Sequence, residues 1–369
     1  MVTFDSKLGA LRDSKTRAYL ACTGAGAGLQ QMLWAVPGIS SFLVGAEFPY
    51  DPAATERFLG FRPEKFCSRA TAVDMATEAY ARALAGGEGS AIGLGLTASV
   101  ATKTEHRGDH RIHAAAACSS GVWAADWTIS KGVGAATREV DGRLADELGL
   151  QLLLHASLVE SIFDGGLPDG LVVEEVTAQA RAQFLARSYF ARDDKRFCGL
   201  PASVRGVLFP GAFNPPHVGH FRIAEEVPDR GPVVFHVTVD PPHKPALSFT
   251  EMVERAARLR GRDRMLTEGD ALYLDKARRF PGRAIVIGAD ALARMFDPCW
   301  GQPVEPMLAE FQSLGTRFFV VGRLVDGQFR SPDDVRALVP EPFRALFQPL
   351  AGRWDISSSQ IRAAAQVRA

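Results

Sequence analysis

His217 and His220 stand three residues apart in the run Gly206–His220, GVLFPGAFNPPHVGH, just after a short apolar strand of Val207, Leu208 and Phe209. Glycine and proline punctuate Pro210–Pro216, so the chain turns tightly before a helical pattern starts near His220. Two imidazoles at that spacing on a first helical turn face one ligand, and Gly219 between them leaves room. The free N–H groups of the turn and the helix dipole favour anionic oxygen, and Gly211, without a Cβ, lets the backbone come close. Imidazoles titrate near neutrality, so the pair can donate hydrogen bonds to a charged phosphorane without adding permanent charge. The pattern suits a reacting polyphosphate.

Three further groups fit the same chemistry. The strand-like run Val233–Val239 leads into Asp240-Pro241-Pro242-His243-Lys244-Pro245, whose prolines stiffen a loop that would hold Lys244 toward phosphates. Ala284–Ile287 reads as a strand ending in Gly288-Ala289-Asp290, and a carboxylate just past a parallel strand is placed to accept from ribose hydroxyls. Near the end, Ile356-Ser357-Ser358-Ser359-Gln360-Ile361-Arg362 offers two serines able to cap a helix and an arginine one turn along on the same face. Hydroxyls, free N–H groups and a guanidinium would converge there on the β- and γ-phosphates.

The elements that must position these residues fall into two domains, the natural prior for 369 residues. The composition, 47% hydrophobic and 23% charged, is that of an ordinary globular chain. Lysine plus arginine equals aspartate plus glutamate at 42 each, so no basic surplus points to nucleic acid or an anionic membrane. Five scattered cysteines, Cys22, Cys67, Cys118, Cys198 and Cys299, form neither a zinc spacing nor a CxxC pair, which suits a reducing compartment. The opening MVTFDSKLGALRDSK has no signal-peptide core and no apolar run is long enough to span a bilayer, so a cytoplasmic protein is expected.

Strand and helix patterns alternate through the first half, predicting a three-layer α/β domain over residues 1–165. Strands are expected at Arg17–Cys22, Ser40–Phe48, Ser90–Leu96 and Ile112–Ala117. Helices are expected at Leu29–Val36, Asp51–Leu59, Ala70–Leu84 up to Gly86-Gly87, and Trp127–Leu148. The small-residue loop Thr23–Gly28 is neither a Walker A loop nor GxGxxG, and reads equally as a plain βα turn or a nucleotide cradle. His106, His110 and His113 would share a face only if their segment were helical; Gly108 favours a loop, which reads as a solvated basic stretch or a phosphate-contacting one. Residues 166–202 read as a linker, with a turn-rich break at Phe163–Gly170, a helix over Leu171–Phe190 and open chain at Arg192–Ala202. The second domain spans 203–369.

Gly211, Phe213, Pro215, His217, Gly219 and His220 form an unbroken GxFxPxHxGH, and the second half resembles the nucleotidylyltransferase superfamily. The run Ile356–Arg362 is similar to that superfamily's second signature, ISSTxIR, with serine for threonine. PPHK is similar to a run in bacterial nicotinate-mononucleotide adenylyltransferases. The resemblance implies a Rossmann-like parallel sheet, catalytic roles for His217, His220 and Arg362, and ATP contacts from Phe209, Gly211, Ala212, Phe213, Lys244, Gly288, Asp290, Ser357 and Ser358. It further implies a mononucleotide site at Trp300 and Arg323. ATP and a pyridine mononucleotide are the expected partners, Mg²⁺ is expected through the ATP phosphates rather than a protein cage, and a homo-oligomer is compatible with the pattern.

The first half resembles the C-terminal domain of the CinA competence-damage family, whose stand-alone relatives deamidate nicotinamide mononucleotide. The match runs through Cys22-Thr23-Gly24, Val36–Ser41, Tyr50, Leu59-Gly60 and Gly95-Leu96-Thr97. Where that family carries its attacking serine and the preceding glutamate stand Ala21 and Leu20, and where it carries an activating lysine stands Thr55. Deamidation is therefore not expected, unless Cys22 or Thr23 has taken over as nucleophile. Rival readings are a phosphopantetheine- or CTP-dependent transferase of the same superfamily, and a non-catalytic sensor of NAD metabolites.

Overall fold

Short apolar stretches alternate with helices along the chain, and they gather around two separate sheets. A computed structural model describes residues 4–85, 89–102, 108–129, 137–157, 172–228, 231–325, 328–354 and 356–366. Gly86-Gly87, His106 and the turn-rich break at 163–170 lie outside the described residues. Two units result, Met1–Ala186 with Ser248–Ala257, and Arg187–Leu247 with Arg258–Ala369. Among the described residues, no helix is long and apolar enough to cross a membrane.

In the first unit six strands run in the order Leu43–Glu47, Arg17–Thr23, Ala91–Ser99, His110–Cys118, Gly121–Ile129 and Val173–Glu175. The first three are mutually parallel and the rest antiparallel. Strand alternation sorts the faces. Leu94, Leu96, Ile112, Ala114 and Ala116 turn to one side, where they bury against Leu148, Leu152 and Leu153 of the helix Arg138–Ala156. The opposite face carries Gly93 and Gly95, so the backbone of the helix Arg69–Ala85 lies directly on the sheet. A Cβ on Gly93 would fall 2.0 Å from the Tyr80 nitrogen and 2.2 Å from the Ala76 oxygen. Helix, sheet and helix make the expected three layers.

The second unit has an eight-stranded sheet in the order Phe347–Pro349, Arg317–Val321, Ala284–Gly288, Val207–Pro210, Val233–Thr238, Arg264–Thr267, Tyr189–Phe190, Arg196–Phe197. Its first six strands are parallel. The last two form an antiparallel edge. Its core stacks Phe318 on Phe347, ring centroids 4.8 Å apart, with Phe311, Leu208, Ile285 and Ile287 around them. Strand order reverses between Val207–Pro210 and Ala284–Gly288, and ligands of open parallel sheets collect at such a switch, beyond the carboxyl ends. The histidine loop leaves one of these strands and Asp290 follows the other.

Three local expectations need correcting. Trp127 lies in a strand, Gly121–Ile129, and the helix begins only at Arg138; a two-residue turn at Ser119-Ser120 pairs Cys118 with Gly121 and commits the segment to a hairpin. The helix expected over Leu171–Phe190 shortens to Thr177–Ala186, because Val173–Glu175 and Tyr189–Phe190 each find an open sheet edge to pair with. Part of the open chain expected at Arg192–Ala202, Arg196–Phe197, forms the outermost strand of the second sheet. In addition, the helix Phe249–Arg258 groups almost entirely with the first unit, where Phe249 meets Phe184 edge-on at 6.2 Å.

Gly93→Ala should cost about 1–3 kcal/mol by overpacking, because rigid helix backbone occupies the new methyl's space. Gly142→Ala, on an open helical position with nothing within 4 Å, should instead gain up to about 1 kcal/mol. Denaturant unfolding of the two variants checks the contrast.

Candidate active site

The loop after Val207–Pro210 is held by an aromatic cluster. Phe213 adopts a left-handed backbone, φ 44°, which costs a non-glycine residue about 1–2 kcal/mol. Its side chain is fully buried against Phe209, Phe235 and His220, at 5.5, 5.2 and 5.0 Å between centroids, and that burial offsets the strain. Phe209 is buried in the same cluster, so the side chains of both residues support the loop, and only their backbone is left to face a nucleotide. Gly211 closes on Phe213: a Cβ there would lie 2.7 Å from its ring. Ala212 is exposed beside it.

His217 caps the helix Val218–Glu226, and His220 is its third residue. The His217 N–H donates to Nδ1 of His220 at 3.2 Å, and the two rings stack at 3.7 Å. Accepting at Nδ1 fixes the neutral tautomer of His220 with its proton on Nε2, which makes it a hydrogen-bond donor. Burial, then the neighbouring His217 and Arg323, push the His220 pKa down to about 3. Burial followed by Arg323 lowers His217 in the same direction. Both nitrogens of the His217 ring are buried and have no hydrogen-bond partner among the described residues. A pair of neutral imidazoles with orphaned nitrogens is a ready recipient for an oxyanion.

The start of the last helix, Ser358–Gln366, docks onto this loop. Ser358 Oγ donates to the Pro215 carbonyl at 2.8 Å, and an Arg362 Nη donates to the Asn214 carbonyl. Ile356 closes over Gly219, where a Cβ would meet its side chain at 3.0 Å. Ser357 caps the helix through the Gln360 N–H at 3.2 Å. The second Arg362 Nη reaches Ser359 Oγ at 3.2 Å, so the guanidinium keeps further N–H groups for a ligand.

Across the switch point, Gly288 precedes the helix Ala289–Met295, and Asp290 is held by Arg294 at 2.9 Å with Arg323 at 3.8 Å. Beside it lies a cavity of about 470 Å³, lined by Pro241, His243, Lys244, Tyr273, Arg294 and Trp300 among others. Trp300 donates from Nε1 to the Arg294 carbonyl at 2.7 Å and meets the His243 ring at 4.9 Å. Lys244, expected on the triphosphate side, is therefore a wall of the cavity that holds Trp300. Tyr273 and Arg294 were missed from the sequence, where only the four-residue spacing of Asp290 and Arg294 signals the arginine, while His243 comes with the PPHK run already singled out.

Residues 208–364 match the model of the cytidylyltransferase-like family. The second unit thus carries a cytidylyltransferase-like domain. This match covers less than half of the chain. The N-terminal part aligns with solved structures of the CinA superfamily. One, a competence-damaged protein (CinA) superfamily protein of Escherichia coli, is 19% identical over 42% of this chain and 90% of its own, with a TM-score of 0.35. A competence or damage-inducible protein of Enterobacter asburiae is 19% identical over 42% and 98%, TM-score 0.34. The corresponding protein of Agrobacterium tumefaciens is 17% identical over 44% and 98%, TM-score 0.31. Among curated proteins there is no match.

The first unit carries Leu20, Ala21 and Thr55 where the resemblance drawn from its sequence implies a glutamate, a serine and a lysine. It keeps a glycine-bent loop, Gly24 and Gly26 at φ 80° and 95°, over a cavity of about 270 Å³ with Tyr50, Arg138 and Asp146. The replaced nucleophile positions are structural. Ala21 packs with Phe58 and Met75, and the Thr55 hydroxyl donates to the Pro49 carbonyl at 2.7 Å. Cys22 is fully buried and its thiol is pushed up to about 12, chiefly by burial, so it makes no nucleophile at neutral pH. His110 and His113 lie on a strand, three apart on opposite faces, paired at 2.8 and 2.7 Å with Asp141 and Asp126. The helical metal-binding arrangement of these histidines is ruled out by that strand.

His220 should remain neutral from pH 8 down to pH 5 in the folded cytidylyltransferase-like domain, which a ring-proton NMR titration reads directly. Because its folded pKa is depressed, its share of stability is complete above about pH 6.5 and is lost as pH falls toward 3. An imidazolium signal for His220 near pH 6 would contradict the assigned tautomer.

Proposed function

We propose that the cytidylyltransferase-like domain transfers the adenylyl group of ATP to nicotinamide or nicotinate mononucleotide, giving the dinucleotide and pyrophosphate. The observation that carries this reading is the meeting, at one sheet edge, of the neutral histidine pair, the Ser358–Arg362 helix start and the cavity holding Lys244 and Trp300. The 5′-phosphate of the mononucleotide attacks the α-phosphorus of ATP in line, and the α–β bridging P–O bond breaks. A phosphate monoester is already ionised at neutral pH, so no general base is required, and positioning with charge stabilisation suffices. His220 donates from Nε2, and His217 from a ring nitrogen, to the transferring phosphate. Arg362 and the Ser357-Ser358 helix start hold the departing pyrophosphate, with Lys244 reaching in from the cavity wall. Trp300 offers its face to the pyridine ring, Asp290 accepts from ribose hydroxyls, and Arg323 faces the mononucleotide phosphate.

Mg²⁺ would neutralise phosphate charge by bridging the oxygens of bound ATP. Asp290 is engaged by Arg294 and Arg323, which suits a ribose acceptor better than a metal ligand. The description of the matched family favours one rival, cytidylyl transfer from CTP to an alcohol phosphate.

Purified protein given Mg²⁺ and either ATP or CTP, with each mononucleotide or phosphopantetheine, should release pyrophosphate fastest with ATP and a pyridine mononucleotide. Fastest release with CTP, or with phosphopantetheine, would replace the proposed substrate. His220→Ala should lower turnover at least about a hundredfold with nucleotide binding largely kept, the scale of a lost transition-state donor. Trp300→Ala should mainly raise KM for the mononucleotide, read in the same pyrophosphate assay.

A further inference from the structure

A two-stranded ribbon follows the strand Arg317–Val321 and carries a cation that the transfer scheme leaves without a task. Arg323–Val325 and Gln328–Arg330 pair antiparallel, and their register sets Arg323 directly opposite Arg330. Residues so opposed share one face, with Cβ atoms about 4.5–5.5 Å apart. Leu324 and Phe329, the neighbouring pair, turn to the other face. There Phe329 seats on Gly322, where a Cβ would meet its ring at 2.4 Å, and the Arg353 guanidinium lies over it, 4.4 Å from the centroid. The ribbon is pinned on one face, and the two arginines occupy the opposite one.

That opposite face meets the switch point. Arg323 runs along the end of the strand Ala284–Gly288: its Cγ would lie 3.3 Å from a Cβ on Gly288, and its Nε stands 3.8 Å from Asp290 Oδ1. Asp290 already holds Arg294 at 2.9 Å. One carboxylate therefore serves two guanidiniums, and Arg330, which is exposed, has no hydrogen bond or ion pair among the described residues. Like charges set directly opposite each other destabilise a ribbon, so the arginine pair is a standing cost that an anion between them would relieve. Three arginines around one carboxylate leave two positive charges over, close to the charge of a phosphate monoester at neutral pH. Guanidinium forks also match phosphate oxygens two at a time.

We propose that Arg323 and Arg330 together cradle the phosphate monoester of the acceptor, with Arg330 supplying the second fork. This rests on the reading of the domain as a transferase whose acceptor attacks through a phosphate. The triphosphate has its own donors at Ser357, Ser358 and Arg362, so the ribbon pair serves the attacking phosphate. Forks on its non-attacking oxygens fix its orientation for in-line attack. Sequence reading singled out Arg323 alone, because Gln328-Phe329-Arg330 carries no motif and meets Arg323 only through the ribbon's register.

The test uses the full chain and two ligands that differ only in the phosphate, a pyridine mononucleotide and its riboside, titrated by calorimetry. Wild type should bind the mononucleotide at least about a hundredfold more tightly than the riboside, and Arg330→Gln should narrow that ratio at least about tenfold with riboside affinity unchanged. Arg330→Lys, which keeps the charge without the fork, should recover part of the loss. In the pyrophosphate assay Arg330→Gln should raise KM for the mononucleotide by a similar factor and leave KM for ATP in place. Equal wild-type affinity for the two ligands, an unchanged ratio in Arg330→Gln, or a rise in KM for ATP alone would each overturn the proposal. Failure of the pyridine reading looks different: wild type then releases pyrophosphate with another phosphate-monoester acceptor, and Arg330→Gln is judged on that acceptor against its dephosphorylated form by the same criterion.

Discussion

The seating of the last helix on the histidine loop holds the candidate active site together. Ser358 and Arg362 bind the carbonyls of Pro215 and Asn214, and Ile356 closes over Gly219, so two stretches about 140 residues apart in sequence become one wall. The contact depends on glycine at 219, since any Cβ would press on both Ile356 and the His217 ring. It also depends on Phe213, whose burial holds a backbone turn that an exposed side chain would not stabilise. The hydrogen bonds are made to loop carbonyls, so the serine and arginine are fixed in place before any ligand arrives, which lowers the ordering cost of binding.

Burial gives the paired histidines their chemical character. In water each would be partly protonated near neutrality, but the apolar cluster of Phe209, Phe213 and Phe235 and the nearby Arg323 both disfavour the cation. The hydrogen bond from the His217 backbone then chooses the tautomer of His220. A neutral donor suits a phosphoryl centre whose charge is spread over its oxygens, because cationic groups at the rim supply the long-range attraction.

In the first unit close packing decides where the side chains sit. Glycines at 93 and 95 bring a helix onto one face of the sheet, and the same helix start carries Arg69 to Asp126. Alanine and threonine at 21 and 55 are meanwhile absorbed into packing and turn hydrogen bonds.

The chemistry-bearing stretches of the second half, and the alternation of strands and helices in both halves, were legible in the order of residues alone. Those signals are local: a strand, a glycine turn, a cap and a helix start are written in neighbouring residues, and GVLFPGAFNPPHVGH contains all four. Which of these stretches meet was settled by folding in three dimensions. So were the cavity that Lys244 shares with Trp300, the packing of Phe249–Arg258 with the first unit, and the pairing of Tyr189–Phe190 at a sheet edge instead of in a longer helix. Each of these depends on partners far along the chain, where an open sheet edge or an apolar pocket outweighs the intrinsic preference of a short segment. The joining of His113, Asp126 and Arg69 is of the same kind, since no spacing along the chain records a contact made by a hairpin register and a helix laid across it.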